Sequence, residues 1–157
     1  MDIDQQIETL IKEAPNDGIT SQAVQAVAPA LKAIAIQLKR PQYYILQTLD
    51  QGWVMTTLSK QAQPNVQKNV VHAFPTLQDA ASGPYSVKDP QVMALPVPVT
   101  HILFQMLALK TIHSVIFFDT PGDLKKGVEV RRDDIQALLQ AQLKKAQGVT
   151  QAPPDIA

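Results

Sequence analysis

The sequence predicts an α+β fold: a single domain with a mixed or mainly antiparallel sheet of about five strands covered by helices, and an N-terminal helical hairpin. Three observations carry this reading. The 157 residues are 45% hydrophobic and 18% charged, the composition of one globular domain. Apolar residues recur at helical intervals near both ends of the chain. Between them lie short β-branched and aromatic runs separated by proline and glycine turns, the pattern of strands. The expected organisation is a helical hairpin over 1–40 within the same domain, an α+β core over 41–147 and a flexible tail over 148–157.

Ile3, Ile7, Leu10 and Ile11 put one apolar face on a first helix, which Pro15-Asn16-Asp17-Gly18 should end. Thr20 or Ser21 is placed to cap a second helix, whose Val24, Val27, Leu31, Ile34 and Leu38 repeat at intervals of three and four. Pro29 falls inside it and should kink it or start its second half. Packing on the protein's own sheet is the preferred use of the seam. A homodimer contact through Val24, Leu31 and Leu38 is the competing one.

Tyr43 to Leu49 and Trp53 to Leu58 flank Asp50-Gln51-Gly52 and predict a β-hairpin. The polar segment Gln61 to Lys68 is expected to link it to a strand over Val70–Phe74. Pro75 to Ala81 suits a short helix with proline in its first turn. Val92 to Leu95 suits a short strand, and Val99 to Leu109 a covered helix that is apolar almost all round. Ser114-Val115-Ile116-Phe117-Phe118 is the strongest strand signal in the chain and is expected to be central. Val128–Val130 follows as a short strand. Asp133 or Asp134 should cap a last helix striped with Ile135, Leu138, Leu139 and Leu143 and stopped at Gly148.

Fourteen basic residues balance fourteen acidic ones, so no long-range field draws the chain to nucleic acid. The absence of cysteine excludes disulfides, thiolate metal sites and a cysteine nucleophile. The uncharged run from Pro90 to Leu109 is not expected to span a membrane, because Pro96 and Pro98 break it and His101 and Gln105 would lie in lipid. The acidic N-terminal start lacks the pattern of a signal peptide, so a cytoplasmic location is expected.

Phe117-Phe118-Asp119-Thr120-Pro121-Gly122 looks like the magnesium-binding segment of GTPases. No glycine in the chain precedes Lys-Ser or Lys-Thr, so the phosphate cradle such chemistry needs is missing. His72, His101 and His113 show no metal-ligand spacing, and neither a metal nor another cofactor is expected. No Gly-x-Ser-x-Gly elbow occurs. His101 and Gln105 share a helix face. The basic doublet Lys39-Arg40 lies near Tyr43, Tyr44 and Trp53, an arrangement also used to stack nucleic-acid bases. Core packing of these aromatics is preferred at zero net charge.

The stretch Val70-Val71-His72-Ala73-Phe74-Pro75-Thr76, the strand and turn Val115–Gly122 and the closing helix over Ile135–Leu143 together resemble the SseB-like N-terminal domain family across Tyr43 to Leu143. The resemblance implies an α+β domain used for protein contacts or regulation, with no catalytic residues to carry over. Abundant glutamine with modest lysine is also similar in composition to small soluble cyanobacterial proteins.

The functional expectation is a non-catalytic interaction or regulatory protein with a protein partner, contacting it through Trp53 or the Val24–Leu31–Leu38 seam. The alternative is a small enzyme or ligand-binding protein with a pocket at the end of strand 115–118, using His101, His113, Asp119 and Gly122. Convergence of those imidazoles with Asp119 in one wet pocket would favour catalysis.

Overall fold

The computed structural model describes residues 2–13, 20–50, 52–60, 63–82, 89–109 and 111–150. In chain order the elements are α1 (Ile3–Glu13), α2 (Thr20–Gln37), β1 (Gln42–Thr48), β2 (Thr56–Lys60), β3 (Gln63–Phe74), α3 (Leu77–Ser82), β4 (Val92–Pro98), α4 (Val99–Ala108), β5 (Ser114–Phe118), β6 (Gly127–Arg131) and α5 (Arg132–Thr150). The strands form one six-stranded mixed sheet in the order β4-β1-β3-β5-β6, with β2 paired to β3 beside this path. β3 and β5 are the parallel pair, and β1 runs antiparallel to both β3 and β4. The α+β class, the single sheet and the N-terminal helices expected from the sequence are all present.

Period-two alternation divides the sheet into two faces. Tyr43 and Ile45, Val71 and Ala73, and Val115 and Phe117 turn to one side, where they pack with Leu31 and Ala35 of α2, Leu38 just after it, Ile102, Leu103 and Met106 of α4 and Ile135 of α5. Tyr43 and Phe117 meet edge to face at 4.9 Å between ring centroids, and each large side chain buried here contributes about 1.5–3 kcal/mol. Leu46, Phe74 and Phe118 turn to the other side, with Ala80 of α3 and Leu124, to make a smaller second core.

Helix α2 runs through Pro29, whose side chain faces solvent while Ala30 and Leu31 are buried. The carbonyl left without its amide partner thus lies toward water. The expected stop at Pro15–Gly18 falls outside the described residues, as do the side chains of Thr20 and Ser21. At the other end α5 carries through Gly148 to Thr150, correcting the expected stop there. Asp134 gives both carboxylate oxygens to Arg131, at 3.0 and 3.2 Å, instead of capping the helix.

The hairpin around Asp50–Gly52 closes only at its tip, where Thr48 N–H donates to Gly52 O at 2.8 Å and Val54 N–H to Leu46 O at 2.9 Å. Beyond Trp53 the chain leaves β1, and β2 pairs with β3. Residues 63–68, expected as a polar link, are the first half of the twelve-residue β3.

β4 runs to Pro98, through two prolines that the sequence reading placed outside a strand. The ladder explains this. Val99 N–H donates to Pro41 O at 2.9 Å; by alternation the amides of residues 97, 95 and 93 face β1, and positions 98, 96 and 94 face the open edge. Pro96 and Pro98 therefore remove donors only where no described strand pairs, as prolines at sheet edges do.

Candidate functional site

The carboxyl ends of the parallel pair β3 and β5 lie beside the start of β1, and three short segments meet there. Arg40 precedes β1, Pro75 and Thr76 follow β3, and Asp119 follows β5. The half-buried Arg40 donates from Nε to Asp119 O at 3.0 Å and from Nη1 to Pro75 O at 3.4 Å, tying both strand ends to β1. The Tyr43 hydroxyl donates to Asp119 Oδ1. Burial, together with the adjacent Asp119 carboxylate, pushes the Tyr43 phenol well above its ordinary value.

The turn after β3 is built by a reciprocal cap. Asp79 N–H donates to Thr76 Oγ1 at 3.1 Å and the Thr76 hydroxyl returns to Asp79 Oδ2 at 2.8 Å. The same Asp79 carboxylate accepts Gly122 N–H at 3.2 Å, binding the loop after β5 to α3. Gly122 has φ of +78°, a left-handed conformation that favours glycine.

A third support comes from α1. Gln6, 1% exposed, accepts at Oε1 from the Thr100 amide at 3.0 Å and the Thr100 hydroxyl at 2.8 Å, and donates from Nε2 to Pro41 O at 2.8 Å. The N-terminal position of α4 is occupied by Pro98, whose side chain makes no capping bond. Gln6 thus satisfies one of the amides that a helix start leaves without a partner.

These segments enclose an open cavity of about 550 Å³ lined by Gln6, Arg40, Pro41, Gln42, Tyr44, Pro75, Thr76, Leu77 and Pro98. Its walls are mainly proline, aromatic and amide surface. Arg40 is the single charged residue among those lining groups, and no aspartate or glutamate joins it. The described ion pairs, Lys32–Asp4, Lys68–Glu129 and Arg131–Asp134, do not include Arg40.

The residues singled out from the sequence are distributed otherwise. Asp119 and Gly122 sit at this end of the sheet, in its scaffold and not in the cavity lining. His113 precedes β5 and its Nδ1 accepts the Asn69 amide at 2.8 Å. The five residues of β5 lie between it and Asp119, a span of about 20 Å. His101 lies on α4 with Nε2 at 3.1 Å from Gln6 O. His72 stacks on Phe118 at 5.9 Å between centroids with planes 9° apart, and burial lowers its pKa. Val24, Leu31 and Leu38 are buried inside the chain, and Val27 and Ile34 are partly buried. Trp53 packs, half-buried, against the larger core.

None of the nine residues lining the cavity was selected by sequence reasoning. Arg40 read as half of a short basic doublet beside aromatics, and Tyr44 as core packing. One signal was available for Gln6, which lies three residues after Ile3 and four before Leu10 and so interrupts the apolar stripe of its helix.

Among the described residues no helix is long and apolar enough to cross a membrane, and no group of three or more His, Asp or Glu is placed to hold a metal ion. Compared with protein-family models, curated proteins and solved structures, the chain matches none.

Proposed function

We propose that this chain is a non-catalytic binding protein whose recognition site is the cavity beside the carboxyl ends of β3 and β5. The observation that carries this reading is the construction of the cavity. Arg40, Pro41, Pro75 and Thr76 are held by bonds that engage α1, α3 and the segments after β3 and β5, so this part of the lining is in place before any ligand arrives. Ligand sites in open sheets favour the carboxyl ends of parallel strands. Asp119 and the imidazoles of His101 and His113 each serve a separate structural contact, an arrangement that supports binding over proton-transfer chemistry.

The test is a fragment screen by ¹H–¹⁵N NMR on the full chain. Amide shifts are expected to cluster at Arg40, Gln42, Thr76 and Leu77, with the fragments recovered unchanged. Shifts centred on His101 or His113, or chemical conversion of a fragment, would overturn the reading.

A further inference from the structure

The charge of the cavity identifies the chemistry of its ligand. A guanidinium carries five N–H donors in a planar fork. In Arg40 the structure uses Nε and one Nη1 hydrogen on two backbone carbonyls. Both Nη2 hydrogens and one on Nη1 remain without an acceptor among the described residues. Those two carbonyl bonds fix the plane of the group, removing much of the rotamer freedom that a free arginine loses on binding. A half-buried cation without a carboxylate within ion-pair distance among the described residues attracts an anion more strongly than a solvated surface arginine does, because less water screens it. Asp119 lies near, but one of its carboxylate oxygens accepts the Tyr43 hydroxyl and the residue is outside the lining.

The remaining walls limit what the anion is attached to. Tyr44 offers an aromatic surface, and Pro41, Pro75, Pro98 and Leu77 offer apolar ones. Two amide side chains, Gln6 and Gln42, and the Thr76 hydroxyl are the neutral polar groups of the lining. Arg40 alone supplies charge, which suits a singly charged, planar head group better than a phosphate dianion. An apolar or ring-bearing body accounts for the prolines and the tyrosine.

We propose that the cavity binds a carboxylate carried on an apolar body, with the unused N–H groups of Arg40 gripping the carboxylate and Tyr44 and the prolines holding the body. This deepens the reading of the cavity as the recognition site and rests on it. The carboxylate has two sources, a small organic acid or the C-terminal end of a peptide, and the recognition chemistry is shared.

The experiment uses the full chain and four probes, followed by NMR titration: benzoate, its neutral isostere benzamide, the tripeptide acetyl-Ala-Pro-Phe with a free carboxylate, and the same tripeptide as its amide. Benzoate and the free-acid peptide are expected to bind at Arg40, Gln42 and Thr76 at least about tenfold more tightly than their neutral counterparts, the range of one charge-assisted hydrogen bond. Tighter binding of the peptide acid than of benzoate assigns the source to a chain end, and the reverse assigns it to a small acid. Arg40→Gln is expected to remove the tenfold preference. Because Arg40 also ties two loops, Arg40→Lys is the second variant, keeping the charge and losing the fork, and is expected to bind benzoate more weakly than the native chain. Equal binding of acids and neutral isosteres at the cavity overturns the carboxylate assignment and leaves the cavity reading standing. Shifts elsewhere, or none, overturn both.

Discussion

The Tyr43 hydroxyl, carried on β1, donates to the Asp119 carboxylate just past the end of β5, while its ring packs edge to face on Phe117 at 4.9 Å. One side chain thereby joins the larger core to the rim of the cavity. Its phenol is held above the usual tyrosine value of 10.0, chiefly by burial and then by Asp119. A raised folded pKa means that the folded state keeps its proton where the unfolded chain has begun to lose it. The contribution to stability is therefore complete below about pH 10 and declines as pH rises from there toward the folded value. Urea denaturation of the native chain should show this decline at alkaline pH, and Tyr43→Phe should flatten it. Near neutral pH the same substitution should cost about 1.5–3 kcal/mol, the worth of a bond to a charged acceptor. Identical pH profiles for the two proteins would refute the assignment.

Gln6 joins α1 to both the start of α4 and the Pro41 carbonyl. Gln6→Leu keeps the volume but leaves the Thr100 amide without its acceptor and Pro41 O short of a donor. A loss of about 2–4 kcal/mol is expected, read as a lower denaturation midpoint at unchanged slope. A change below about 0.5 kcal/mol, the scale of an ordinary surface substitution, would mean that α1 docks without it.

Gly127 opens β6 where the sheet allows no side chain. A Cβ there would stand 2.5 Å from Ile116 Cγ2 and 3.1 Å from the Phe118 ring. Gly127→Ala should destabilise the fold by about 1–3 kcal/mol through overpacking. Combining it with Ile116→Ala should recover part of that loss, a coupling measurable in a double-mutant cycle. Strict additivity would show that the two positions do not press on one another.

The free edge of β4 makes a different prediction. Restoring outward amides with Pro96→Thr and Pro98→Thr should create a strand that another copy can pair with. Light scattering should then report concentration-dependent association beyond that of the native chain. Unchanged mass over the same concentrations would remove the protective role from these prolines.

Glu129 on β6 accepts from Lys68 Nζ and, at 2.8 Å, from the Ser114 hydroxyl. The Lys68 bond comes first among the causes that lower its pKa below 4.5. A depressed acid contributes stability above its unfolded pKa and loses it as pH falls through the folded one. Acid unfolding of Glu129→Gln should therefore be less steep than that of the native chain below about pH 4.5. Added salt should narrow the difference, because the pair is partly exposed. Coincident acid limbs would show that the pairing does not persist in solution.

Much of the fold was legible from local pattern. Val115 to Phe118 read as a central strand because β-branched and aromatic residues fill it, and β5 indeed lies between β3 and β6. The α2 seam read as core-facing because its spacing allows a single buried stripe. The β1 hairpin misled, since turn chemistry at Asp50–Gly52 fixes the reversal but not the strand that receives the chain beyond Trp53. Pro96 and Pro98 misled for a related reason: whether a proline breaks a strand depends on which way its missing amide would point, and the partner strand sets that direction.

What the sequence by itself determined is the set of elements and the faces they bury, because hydrophobic periodicity and backbone preference act over a few residues. The cavity was decided only by tertiary structure. Gln6, Arg40, Tyr44, Thr76 and Pro98 are spread over more than ninety residues of chain, and only Gln6, by interrupting an apolar stripe, carries a local signal. Their meeting follows from strand order, which places β1 between β4 and β3 and the carboxyl ends of β3 and β5 beside its start. A half-buried arginine acquires its character from the carbonyls that hold it and from the lack of a described carboxylate within ion-pair distance, and both are properties of three-dimensional neighbours.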